Sequence, residues 1–237
     1  MSKTKVRVYD WPVRIFHWVF VGLFVAAFFI AKVYDDDSTQ YPFHMILGIT
    51  LAFSVMLRII WGFVGSRYAR FSSFKLNPKE LVGYIKDLFN KNGKVFLSHN
   101  PASSWSAIIM MACSLGLAIT GFLMVNGQKE FSEEVHELFG NLFVVSAIAH
   151  VAGVIFHTIR HKYPIGLSMI TGKKQSEDSS AGIEKNYFIV GFIFLLLTSS
   201  VAIHLFKNYD PITKSLTVFK TTFVLGKFEV EEEKNQE

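Results

Sequence analysis

Apolar residues in this chain fall in five long blocks, 13–31, 43–64, 105–125, 136–159 and 187–206, separated by charged stretches. Each block is near the ~20 residues that cross a ~30 Å hydrocarbon core, and none shows the one-sided periodicity of a soluble core helix. The second block carries one charge, Arg58, and the fifth carries none. Backbone polar groups in hydrocarbon must satisfy one another, so the pattern predicts five transmembrane helices. Asp10-Trp11-Pro12 marks the start of the first, with proline in the opening turn. Lys3, Lys5, Arg7 and Arg14 before an apolar run resemble a signal peptide, but no small-x-small site follows and His17 interrupts the run. An uncleaved first span is expected.

Outside the spans, Asn77-Pro78 opens an expected short helix with Leu81, Ile85, Leu88 and Phe89 on one face and Lys79, Lys86 and Asp87 on the polar side. Such a helix lies on a membrane surface. Residues 173–185 read as a polar linker to the fifth span. The tail, which ends past Glu231-Glu232-Glu233, is expected to be solvated.

Composition agrees with the pattern: 51% of the 237 residues are hydrophobic and only 18% charged, against about 25% charged in ordinary soluble domains. The net charge of +5 invites a nucleic-acid reading, but its distribution points to membrane topology. Lys and Arg number seventeen in residues 1–16, 58–104 and 160–186, and seven elsewhere. The positive-inside rule then puts the N-terminus in the cytoplasm and the C-terminal tail outside. A single cysteine, Cys113, inside an apolar block excludes disulfide scaffolds and cysteine-ligated zinc or iron–sulfur sites.

Histidines supply the candidate chemistry, because ionisable groups inside spans are costly and functional by default. A lone one is as readily an interhelical hydrogen-bond partner, so the argument rests on a set. His136 and His150 are fourteen residues apart, which puts them within about 40° on one helix face and about 21 Å apart along the axis. No single metal ion uses both. His44 opens the second span at the level of His136, and His17 lies fifteen residues from Lys32, at the depth of His150. His157, about 31 Å from His136, overshoots that depth and is the reserve candidate. The expected pairs are His44–His136 and His17–His150. Two imidazoles per level are too few for tetrahedral zinc but suffice for bis-histidine haem, held non-covalently since no C-x-x-C-H is present. Gly48, Gly140, Gly22 and Gly153 near these histidines leave room for a flat macrocycle, or serve close helix packing.

Arg58, fourteen residues from His44, falls on nearly the same face at the deeper level. It either pairs with a haem propionate or snorkels to head groups; Arg14 has the same choice, tilted toward snorkelling. His99 and His161 are expected in solvated loops, and His204 ends the fifth span alone. Trp11, Trp18, Trp61 and Trp105 read as an interface belt.

The ordered set Tyr9-Asp10-Trp11-Pro12-Val13-Arg14-Ile15-Phe16-His17-Trp18, His44 with Gly48, Arg58-Ile59-Ile60-Trp61-Gly62, His99-Asn100-Pro101, Thr120-Gly121, His136-Glu137, His150, Gly153, His157 and Met169-Ile170-Thr171-Gly172 resembles the bacterial cytochrome b561 family. More narrowly it is similar to the branch that includes b-type cytochrome subunits of nickel–iron hydrogenases. The resemblance implies an all-α, four-helix transmembrane di-haem bundle over residues 1–174, with His17, His44, His136 and His150 at the haem-ligand positions. This chain adds a polar linker (175–186), a fifth helix (187–206) and an extracytoplasmic tail (207–237).

The function expected is electron transfer between a redox partner and the quinone pool in the bacterial inner membrane, through two non-covalent haem b groups. Partners would be membrane lipid, quinone, and a dehydrogenase or hydrogenase subunit or periplasmic c-type cytochrome, with no nucleic acid. Two other readings compete. One is a stand-alone membrane oxidoreductase acting on a small molecule such as superoxide, disfavoured by acidic outer loops; the other is a haem-free membrane anchor or transporter.

Overall fold

The computed structural model describes residues 4–87, 96–218 and 220–225, and nothing of the His161 side chain. Its first two elements are β1 (Thr4–Arg7) and α1 (Trp11–Val33). Asp10 caps α1 as its position before Trp11-Pro12 dictates: Oδ1 accepts from the Val13 N–H at 3.0 Å, satisfying a donor the helix leaves open. Its other oxygen accepts from Trp61 Nε1 at 3.1 Å. That ties the start of α1 to the end of α2 (Tyr41–Val64), so Trp61 is a latch and not only a member of an interface belt.

The chain continues through α3 (Pro78–Asp87), α4 (Pro101–Val125), α5 (Lys129–His161) and the single-turn α6 (Ser168–Thr171) to β2 (Lys173–Ser176). Then come α7 (Phe188–Lys207), β3 (Tyr209–Asp210), β4 (Ser215–Val218) and β5 (Thr221–Val224). The surface helix expected after Pro78 is α3, whose Val82 and Ile85 are exposed; Leu88 and Phe89 lie outside the described residues.

Five helices, α1, α2, α4, α5 and α7, are long and apolar enough to cross a membrane. Two of them, α4 and α5, begin a full turn or more before their apolar blocks. Asn100 caps α4, accepting from the Ser103 N–H at 2.7 Å with Pro101 in the first turn. α5 starts at Lys129; Lys129, Glu130, Glu133 and Glu134 are good helix formers that hydropathy alone leaves out of the span. Most large side chains on the flanks of the bundle are apolar and exposed, Phe63, Ile148, Ile159, Ile189 and Phe192 among them. A lipid solvent accounts for that surface.

Inside, α1 packs on α2, α4 on both α2 and α5, and α7 on α1 and α2. Phe16, Phe20, Leu51, Val55, Met111, Cys113, Phe143 and Phe194 form one buried cluster from all five spans. The fifth helix is therefore part of the bundle core. Its Gly191 permits the approach, because a Cβ there would lie 2.8 Å from Trp11 Cβ.

Two small sheets close the ends. The segment expected as a polar linker starts as β2, antiparallel to β1 from Thr4↔Ser176 to Arg7↔Lys173. It then follows β1 further, with Ile183 N–H donating to the Arg7 carbonyl at 2.8 Å. Polar composition hid this pairing because strand formation depends on the edge a segment meets more than on intrinsic preference. At the opposite end the tail, expected to be solvated, forms the antiparallel sheet β3-β4-β5. Leu216 and Leu225 bury against Ile46 and Leu205. Residues 226–237, including Glu231–Glu233, lie outside the described residues.

Candidate functional site

His44 lies in the first turn of α2 and His136 two turns inside α5. Their ring centroids are 6.1 Å apart with planes at 69°. His44 Nδ1 is 2.9 Å from the Ala27 carbonyl on α1. A carbonyl only accepts, so Nδ1 carries the proton and Nε2 keeps its lone pair. His136 Nδ1 is 2.9 Å from Thr120 Oγ1 on α4. The Thr120 hydroxyl donates to the Gly116 carbonyl at 2.8 Å, so it accepts from His136 and again leaves Nε2 with a lone pair. A second partner on the far nitrogen, fixing tautomer and ring orientation, is the usual support of a metal-binding histidine.

The spacing also fits. A metal ion held by both imidazoles through bonds of about 2.0 Å would need ring centroids about 6 Å apart, and these two residues are the ones that would hold it. One turn beyond each histidine, Gly48 and Gly140 face no close neighbour: an added Cβ meets nothing within 4 Å at Gly48 and only Leu117 at 4.0 Å at Gly140. Close helix packing, the other use of glycine considered above, therefore explains neither. Gly22 and Gly153 are similarly free of close neighbours but sit at exposed positions.

At the second level His17, on α1, lies within electrostatic range of His150 on α5. His17 Nδ1 is buried with no hydrogen-bond partner. His157 is half-buried, seven residues further along α5. Among the described residues no three His, Cys, Asp or Glu side chains converge as a metal cage.

Arg58 does not snorkel. It is 4% exposed, donates from Nη2 to the Ala69 carbonyl at 2.9 Å and lies 5.2 Å over the Phe71 ring. Asp10 is its electrostatic counterweight. Its Nη1 is buried without a partner, a free donor for an anion at this end of the bundle. Arg14 instead donates to the Ile170 carbonyl and stacks on Trp11 at 4.5 Å. Trp18 Nε1 donates to the Met169 carbonyl at 3.2 Å, so α1 is tied to α6 twice.

His99 corrects the expectation of a solvated loop histidine: it is buried, against Tyr9 and with its ring 4.5 Å from Phe74. Burial first, then the Lys174 and Arg58 charges, push its pKa down to about 3. Lys174 is buried too, donating to the Ser98 carbonyl at 2.8 Å, and burial pushes it down to about 8. Tyr9 OH donates to the same carbonyl at 3.3 Å. What buries His99 comes from distant segments, Tyr9 and Phe74. The His204 Nδ1 lies 3.3 Å from the Asn208 amide nitrogen.

Residues 8–172 match the model of the family described as prokaryotic cytochrome b561. The probable Ni/Fe-hydrogenase B-type cytochrome subunit of Bradyrhizobium diazoefficiens is 24% identical over 220 residues, covering 75% of this chain and 89% of the relative. That of Rhizobium leguminosarum bv. viciae is 25% identical over 221 residues, covering 75% and 92%. The probable Ni/Fe-hydrogenase 1 B-type cytochrome subunit of Escherichia coli K12 is 25% identical over 150 residues, covering 53% and 62%. No solved structure gives a significant match.

Proposed function

Since this chain belongs to the prokaryotic cytochrome b561 family, we propose that it holds two non-covalent haem b groups and passes electrons between a redox partner protein and the membrane quinone pool. The coarse identity is a multi-pass bacterial membrane b-type cytochrome acting in electron transfer. In the finer reading His44 and His136 ligate one haem and His17 and His150 the other. Residues 1–174 form that core, joined by 175–186 to an additional helix at 187–206 and a tail from 207. The membrane is the inner one, with the N-terminus in the cytoplasm. The partner is a hydrogenase subunit, as the names of the relatives indicate; a dehydrogenase subunit or a periplasmic c-type cytochrome would use the same core.

The observation that carries the reading is the His44–His136 pair, 6.1 Å between centroids with each Nδ1 bound elsewhere. Haem iron, when bound, takes up and releases one electron at a time, at a potential set by axial ligands, burial and hydrogen bonding. The chain's own residues prepare for this. Ala27 and Thr120 hold the two imidazoles in one tautomer and orientation, and the Gly48 and Gly140 faces accept a flat group beside them. Arg58 Nη1 offers a propionate a charge-assisted bond.

A reduced-minus-oxidised spectrum and the haem-to-protein ratio of the purified protein test the proposal. A b-type band and two haems per chain are expected, with one haem lost in His136→Ala. Absence of the band, or an unchanged ratio in that variant, would sink it.

A further inference from the structure

Halfway between the two histidine levels lies a stack of phenylalanines. Phe143 is seven residues from His136 and seven from His150, so it shares their face of α5 and lies about 10.5 Å along the axis from each. Phe24 on α1 is likewise seven residues beyond His17 on one face, with Phe20 a turn closer. The Phe24 and Phe143 rings are 3.7 Å apart, centroid to centroid, and 14° from parallel; Phe20 and Phe143 are 5.5 Å apart at 23°. Phe24 stacks in turn on Phe28 at 5.8 Å and 23°, one residue from Ala27, whose carbonyl receives the His44 proton. Phe143 is 1% exposed, the largest fully buried side chain among the described residues, so it is not a lipid-facing aromatic.

We propose that Phe143, sandwiched with Phe24 and Phe20, is the bridge between the two redox centres. This rests on the two-haem reading above. Histidine levels about 21 Å apart leave no direct contact between the irons, and electronic coupling decays faster across unfilled space than through packed atoms. Phe20, Phe24 and Phe143 pack against one another across that layer. In each transfer one electron leaves a ferrous iron at one level, which becomes ferric, and reaches a ferric iron at the other, which becomes ferrous. No proton or atom moves with it. The layer needs no polar group, and its apolar rings exclude water from the path.

The test compares the full-length wild type with Phe143→Ala, measuring haem-to-protein ratio, ligation spectra, both midpoint potentials and the rate of electron equilibration after photoreduction of one centre. Two haems, unchanged ligation and potentials, and a several-fold slower equilibration are expected. An unchanged rate with two haems bound overturns the bridge. Should the cavity left by alanine at 143 abolish haem binding, Phe20→Ala and Phe24→Ala open the same layer from α1, and an unchanged rate in both with two haems bound overturns it equally. One haem per wild-type chain overturns the two-haem reading and the bridge with it.

Discussion

The Thr120 hydroxyl stands 2.9 Å from His136 Nδ1 with its own proton committed to the Gly116 carbonyl, so α4 dictates which nitrogen of a histidine on α5 is free. Removing that acceptor takes away one of the partners that fix the ring. Thr120→Val is close in shape but cannot accept the Nδ1 proton. Losses of about 10–100-fold in affinity follow removal of such a supporting partner, and the same range is expected for haem at the His44–His136 level. Haem titration of the stripped protein reads it. Wild-type affinity at both levels would mean that the hydroxyl serves only the α4 backbone.

Gly48 separates room for a side chain from room for a cofactor. An added Cβ meets nothing within 4 Å, so the polypeptide tolerates Gly48→Leu, with apoprotein stability expected within about 0.5 kcal/mol of wild type or better. The haem content is nevertheless expected to fall from two to one per chain. A fully loaded Gly48→Leu protein would show that no macrocycle lies against this face.

Gly191 carries the docking of α7. A Cβ here would meet Trp11 Cβ at 2.8 Å and Ile15 Cδ1 at 3.1 Å, and overpacking of this kind costs about 1–3 kcal/mol. Gly191→Leu is expected to lower the thermal midpoint while both haems remain bound, since the four histidines lie on α1, α2 and α5. Haem loss in proportion to destabilisation would place α7 inside the cofactor-binding unit.

His99 makes stability depend on pH with a definite sign. Its folded pKa, pushed down to about 3 by burial and then by Lys174 and Arg58, lies below the ordinary value of about 6.5. Between these values the unfolded chain binds the proton and the folded one does not. The contribution is complete above pH 6.5 and is lost as pH falls toward 3, by at most about 1.4 kcal/mol per pH unit. Thermal melts over this acid range are expected to show a shallower slope for His99→Phe than for wild type; parallel slopes would mean that His99 is not buried neutral.

Five apolar spans were legible in the residues, since hydropathy over ~20 positions is a local quantity. The starts of α4 and α5 were less so: Asn100 caps one before its apolar block, and polar helix formers extend the other. Arg58 shows a different limit. Its place on one face of α2 follows from helical period, yet its cover comes from Ala69 and Phe71, in the turn after that helix. For β2 the composition pointed away from order, and only the presence of β1 beside it makes a strand.

By itself the sequence determined that this protein crosses the membrane in helices and that α5 carries histidines at two depths on one face, because helical rise and period act residue by residue. The tertiary structure alone decided that His44 approaches His136 to 6.1 Å, that Ala27 and Thr120 set their tautomers, and that His99 and Lys174 are buried. Each of these depends on groups far apart along the chain meeting in space, and no periodicity in the sequence encodes such a meeting.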